Sequence, residues 1–343
     1  MDILGTILWP IKWVIETILV GFHWLFDNIG LDGDQGITWI LSIVCLTLVV
    51  RAALIPLFVR QIKSQRKMLM LAPEMKKIQD KYRGKKDQFS REAMSRETMA
   101  LYKKHGTNPL SSCLPLLIQM PIFISLFFVL STAANFANTI ATNASLPTPL
   151  LPTDPGYPKP GIDGGLMDAD LALSFSNATL FGAPLHSSLQ TANGNIAVWV
   201  LAITMIVLMT GSQFVTQLQI MSKNQTPEMK ASPMFRQQRI LLYILPLVFV
   251  FSSWAFPIGV MFYWVASNGW TMVQQYIVIR NMPTPGSDAA LAREARLAKK
   301  QQRRGIEVVE FSDDDPTEAA KPETTQRAQP VGKKRKKKGG GRR

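Results

Sequence analysis

Arg51 stands inside an apolar run from Trp39 to Val59 and is the only cation in it. A guanidinium cannot shed its proton to escape an apolar setting, and at the centre of a bilayer it costs roughly 2.5–3.5 kcal/mol on insertion scales. Such a residue is expected to face a wet cavity. The competing reading ends the span at Val50 and makes Arg51 an ordinary flanking cation. That leaves about a dozen apolar residues where a spanning helix needs ~20, and Arg60 already stands where a flanking cation belongs. No apolar block holds an acidic partner for Arg51, so its five donors must meet water, backbone carbonyls or a passing ligand.

Other polar residues interrupt the apolar blocks: Thr47 one turn before Arg51, Gln119, Gln213 and Gln217, then Ser267, Asn268 and Thr271. Singly, each suits a helix–helix hydrogen bond. Together with one unpaired arginine they suggest a polar groove. A hydrolytic or metal site is not evident, because the blocks carry no Asp or Glu, no nucleophile beside a base and no metal-ligand spacing. Cys45 and Cys113 form no CxxC. No catalytic residue, metal or cofactor is expected, and the chain is not read as an enzyme.

The elements that must position these residues follow from composition. Of 343 residues, 47% are hydrophobic and 18% charged, and the apolar ones gather into blocks, the mark of an all-α, polytopic membrane protein. Five blocks can span: about 37–59, 110–133, 194–219, 240–255 and 257–279. The net charge of +14 is local. Residues 61–108 hold 13 Lys and Arg against 5 acids, and 283–343 hold 16 against 9, whereas the long loop 134–193 has Lys159 against four aspartates. The positive-inside bias then places 61–108 and the basic tail in the cytoplasm, with 134–193 and the N-terminus outside. A bacterial plasma membrane is the expected address, since the first residues resemble neither a cleaved signal nor a transit peptide.

Residues 3–26 place Lys12, Glu16 and His23 on one helical face bordered by Trp9, Trp13 and Trp24, the pattern of an interfacial amphipathic helix within an external segment 1–36; a sixth span is the alternative. In the loop 61–108, Met68, Leu71, Met75, Ile78 and Tyr82 repeat at helical spacing, the run breaks at residues 83–86, and a weaker stripe resumes, which predicts a helical hairpin. Residues 281–343 read as a basic, largely disordered tail ending in Lys333, Lys334, Arg335, Lys336, Lys337, Lys338, Arg342 and Arg343.

Three strings carry a resemblance: TLVVRAALIPL (47–57), LYKKHGTNPLSSCLPLLIQMPIFISLF (101–127) and YILPLVFVFSSWAFPIGVMFYWVASNGWTMVQQYIVIR (243–280). They resemble the YidC/Oxa family of membrane protein insertases over roughly residues 37–280, and the long loop and basic tail look like an actinobacterial form. The resemblance implies a five-helix core with a groove open to the cytoplasm and lipid, preceded by an interfacial helix. It makes Arg51 the groove arginine, Thr47 a groove-lining residue and Trp264 an aromatic that meets the nascent chain. Gln213 and Gln217 match less clearly and stand as further groove candidates.

Insertion and folding of nascent membrane proteins, alone or with a Sec translocon, is the implied function. The basic tail and hairpin then have ribosomal RNA as expected partner, and anionic lipids attract the same cations. An ion or solute transporter using Arg51 as an anion site is the rival reading.

Overall fold

A computed structural model of the chain describes residues 3–85, 87–107, 114–145, 154, 158–162, 165–223, 240, 244 and 248–304. The chain divides into a unit of residues 1–296 and a C-terminal unit of residues 297–343. The first unit is predominantly helical. Its described elements are α1 (Ile3–Asn28), α2 (Gly36–Ala53), α3 (Ile55–Met70), α4 (Ala72–Lys81), α5 (Gln88–Lys104), α6 (Leu114–Ala144), α7 (Ala169–Asn177), the two-residue strands β1 (Thr179–Leu180) and β2 (Ala183–Pro184), α8 (Ile196–Lys223), α9 (Ile258–Asn281) and α10 (Asp288–Gln302). Helix α10 runs on into the C-terminal unit, where the terminal basic cluster 333–343 lies outside the described residues.

Among the described residues three helices are long and apolar enough to cross a membrane: α2, Leu117–Ala144 of α6 and Ile196–Ser222 of α8. Residues 241–243 and 245–247 of the block 240–255 lie outside the described residues. Helix α1 packs on α2 and α6, and α9 packs on α8 and α2. The common core is built from Trp39, Ile43 and Leu46 of α2, Leu126, Val129 and Ala133 of α6, and Ile258 and Met261 of α9.

Three features differ from the sequence expectation. The block 37–59 is two helices, α2 and α3, separated at Leu54. Pro56 has no N–H to give the carbonyl of residue 52, and it sits in the first turn of α3, where that donor is not needed. Helix α6 runs on to Ala144, well past 133. Thr132, and Asn135, Thr139 and Thr142 in the extension, each donate to the carbonyl four residues back, at 2.8 Å, which keeps their polar atoms on their own helix.

The third difference concerns α1. Its face of Lys12, Glu16 and His23 is the buried one, while Ile7, Trp9, Trp13, Val14, Trp24 and Leu25 are exposed. The polar face is therefore turned into the protein. Lys12 lies over the Phe128 ring at 4.1 Å, and His23 Nε2 meets the Gly33 carbonyl at 2.9 Å.

What receives that face is a folded cap in the long loop. Glu16, fully buried, accepts from the backbone N–H of Ile162 at 3.1 Å and of Met167 at 3.0 Å. Asp168 then caps α7 by accepting from Leu171 N–H at 2.8 Å, as its position before the helix favours. Phe175 of α7 packs edge-on against Trp39 at 5.1 Å, and Trp39 Nε1 donates to Ser174 Oγ at 3.1 Å. The carbonyls of Ser187 and Leu185 accept from Ile258 N–H and Gly259 N–H, both at 2.9 Å. The cap thus satisfies the first, otherwise orphaned, donors of α9.

At the opposite end of α2, α4 and α5 lie antiparallel and touch through Met75–Thr98, Lys81–Glu97 and Glu74–His105. Lys81 donates to Glu97, and the Tyr82 hydroxyl donates to the same carboxylate at 2.9 Å. The bond from Lys81, and after it the bond from Tyr82, hold Glu97 below the usual carboxylate range, and the Glu97 bond raises Lys81. The contribution of a depressed acid is present above its unfolded pKa and fades as pH falls through the folded one; that of a raised lysine is lost as pH rises through its folded value. Intrinsically corrected amide exchange over residues 72–104 is therefore expected to quicken modestly as pH falls below the ordinary carboxylate range. Glu97→Gln removes that acid limb, and an unchanged limb in the variant would exclude this pair as its cause.

Candidate groove site

Arg51 occupies the last turn of α2, where the helix dipole favours a cation. It is half-buried and donates to Ser267 Oγ of α9, with its guanidinium carbon 5.8 Å from the Phe58 ring centroid. Tyr263 lies one turn before Ser267 on the same helix. The Tyr263 hydroxyl receives a hydrogen bond from Gln119 Nε2 of α6. One polar chain, Gln119–Tyr263–Ser267–Arg51, therefore joins three helices inside otherwise apolar packing. Tyr263 is the residue that sequence reasoning passed over; its place one turn before Ser267 was the available signal.

Thr47 is buried beside this chain, and its hydroxyl donates to the Ile43 carbonyl at 2.7 Å. That bond spends its donor within α2 and leaves a lone pair free. On α8, Gln213 and Gln217 are both half-buried and one turn apart. Gln213 Oε1, Thr210 Oγ1 and Gln219 Oε1 are buried and find no hydrogen-bond partner among the described residues. Buried oxygens of this kind are ordinarily met by water or by a passing polar group. Asn268 Nδ2 donates to the Met209 carbonyl of α8 at 3.3 Å, whereas Gly269 has open space where a Cβ would sit.

Trp264 is half-buried in an aromatic cluster. Its ring stacks on Phe123 at 4.8 Å and 4°, and it meets Phe249 and Phe256 edge-on at 5.4 and 4.8 Å. It borders the polar chain without belonging to it. A cavity of about 480 Å³, lined by Asp27, Asp32, Asp34, Asp168 and Asp170 together with His23 and Trp24, lies beside the cap. Asp34 precedes α2 and Arg51 stands in its last turn, so the helix separates that cavity from Arg51 by roughly 25 Å. Among the described residues no group of His, Cys, Asp and Glu is arranged to hold a metal ion.

The sequence profile of the 60Kd inner membrane protein family matches residues 31–285, a stretch that contains the whole polar chain. The chain belongs to this family, the YidC/Oxa proteins. Its relatives include proteins called membrane protein insertase YidC. One from Tropheryma whipplei strain Twist is 38% identical over 88% of this chain and 93% of its own length. Another from Bifidobacterium longum is 33% identical over 96% of this chain and 95% of its own. A third, from Streptomyces avermitilis, is 41% identical over 86% of this chain, which covers 63% of that relative. The YidC/Oxa match leaves residues 286–343 outside it, so the basic tail is separate from the part that defines the family.

Proposed function

We propose that this protein is a membrane protein insertase that passes short hydrophilic segments of nascent chains through the inner part of the bilayer while their apolar segments move into lipid. The observation that carries the reading is the Gln119–Tyr263–Ser267–Arg51 chain, a cation with hydroxyl and amide partners in helices otherwise apolar. A hydrated cation there lowers the cost of carrying a polar, often acidic, segment past hydrocarbon, and transfer of ~20 apolar residues into lipid drives the step. Arg51 and Thr47 line the path, Gln213 and Gln217 extend its polar wall, and the Trp264 cluster meets the client's apolar side chains.

The five-span core includes the block 240–255 and α9, with α1 at the outer interface and both the α4–α5 hairpin and the basic tail on the cytoplasmic side. Lys333–Lys338, Arg342 and Arg343 tether the ribosome through its RNA phosphates, with the hairpin as second contact. A Sec translocon and anionic lipids are further partners.

The test is insertion of a short single-span client into liposomes holding only the purified full chain, read as protease protection of the client's translocated tail. Protection above protein-free liposomes is expected. No protection, together with anion flux through the same vesicles, would replace the insertase reading with a transporter one.

A further inference from the structure

Phe181 and Gly182 form the two-residue connection between β1 and β2, with φ of 52° and 80°. Two positive φ values in such a hairpin mark the type I′ geometry, whose first position suits Asn or Asp and penalises a bulky side chain. Nonetheless an aromatic ring stands there, and it is 87% exposed. A strained position holding an exposed aromatic calls for a function at the ring itself.

The turn is fixed against the start of α8. Asn195 caps that helix, accepting from Ala197 N–H at 2.9 Å, and the same side chain donates to the Gly182 carbonyl at 3.1 Å. A Cβ at Gly182 would lie 4.0 Å from Ala197 Cβ. From this end, Ile196, Val200, Ile203 and Val207 form an exposed apolar stripe down α8, at spacings of four, three and four that keep them on one face. Trp199, in the first turn, meets Trp254 edge-on at 5.6 Å, and both rings are partly exposed. An exposed apolar stripe on a helix able to span faces lipid, and tryptophans at its end mark the headgroup level.

We infer that the Phe181–Gly182 turn is a membrane anchor of the cap, inserting the Phe181 ring into the headgroup and upper acyl region beside Trp199 and Trp254. The partner is the phospholipid interface, met through apolar contact, for which an aromatic is suited. The inference rests on α8 being a span and holds whichever side of the membrane the cap faces.

The test uses the full chain with Cys45→Ser and Cys113→Ser, spin-labelled at Phe181→Cys, in phosphatidylcholine–phosphatidylglycerol vesicles, with Val207→Cys as the lipid reference. Oxygen, which concentrates in lipid, is expected to broaden the label at 181 more than a water-soluble nickel chelate does. Nickel dominance at 181 with oxygen dominance at 207 would overturn the anchor alone. Nickel dominance at both would overturn α8 as a span, and the anchor with it. Phe181→Asn, which suits the turn, separates anchoring from folding: protease resistance of the cap in detergent stays at wild type, while amide exchange over residues 179–185 in vesicles rises. Loss of resistance in detergent would instead assign the ring to the fold of the cap and sink the proposal.

Discussion

Arg51→Ala is expected to lower the rate of insertion at least about tenfold, or roughly 1.4 kcal/mol in barrier, for clients whose translocated tail carries an acidic residue, and much less for clients with neutral tails. A carboxylate passing about 4 Å from the guanidinium gains roughly 4 kcal/mol at an effective dielectric near 20, and part of that replaces its lost hydration. Arg51→Lys retains the charge and one donor toward Ser267, so it keeps much of the activity. The Gln119–Tyr263 bond does not involve Arg51, so the alanine variant leaves it in place. Insertion kinetics on a pair of clients differing in one tail aspartate measures the effect directly. Equal loss on both clients would show that Arg51 holds the helices together instead of assisting the tail.

Gly165→Ala is expected to detach the 158–167 segment from α1. A Cβ at Gly165 would overlap Glu16 Oε1, and one at Gly161 would come within 2.6 Å of Met167 Cβ and 2.8 Å of Glu16 Oε2. The carboxylate cannot retreat without giving up the N–H groups of Ile162 and Met167. Each donor left buried without a partner costs about 1–3 kcal/mol. Glu16→Ala removes the acceptor itself and is expected to have the same outcome from the other side of the contact. Limited proteolysis of the cap and amide exchange at Ile162 and Met167 report the release. Were both variants as resistant as wild type, Glu16 would not be what holds this segment.

The hairpin and the groove show how far local pattern carries. Of the stripe Met68, Leu71, Met75, Ile78 and Tyr82, Met75 and Ile78 lie in α4, Leu71 and Tyr82 bound it, and Met68 belongs to α3. The glycine turn at Gly84 falls between α4 and α5, because helical periodicity and a glycine turn are local properties. Arg51 and Thr47 stand out for the same reason, a charge and a hydroxyl against an apolar background. Tyr263 did not, since a tyrosine in a membrane block is ordinary until its hydroxyl is seen between Gln119 and Ser267, 144 residues away from the first of these. Trp264 was singled out only by the family resemblance, and its stacking on Phe123 depends on how α6 and α9 meet.

By itself the sequence determined the number and place of the apolar blocks, the cation that one of them must accommodate, and the segregation of basic from acidic loops. Each follows from hydration cost, which is charged residue by residue along the chain. Only the tertiary structure decided what each polar residue faces. Glu16 looked like the water side of a surface helix, yet it is buried because the backbone of residues 162 and 167, 146 and 151 positions later, offers it two donors. The helix periodicity sets which residues share a face. Whether that face turns to water or to protein depends on a partner far along the chain, and no local pattern encodes that choice.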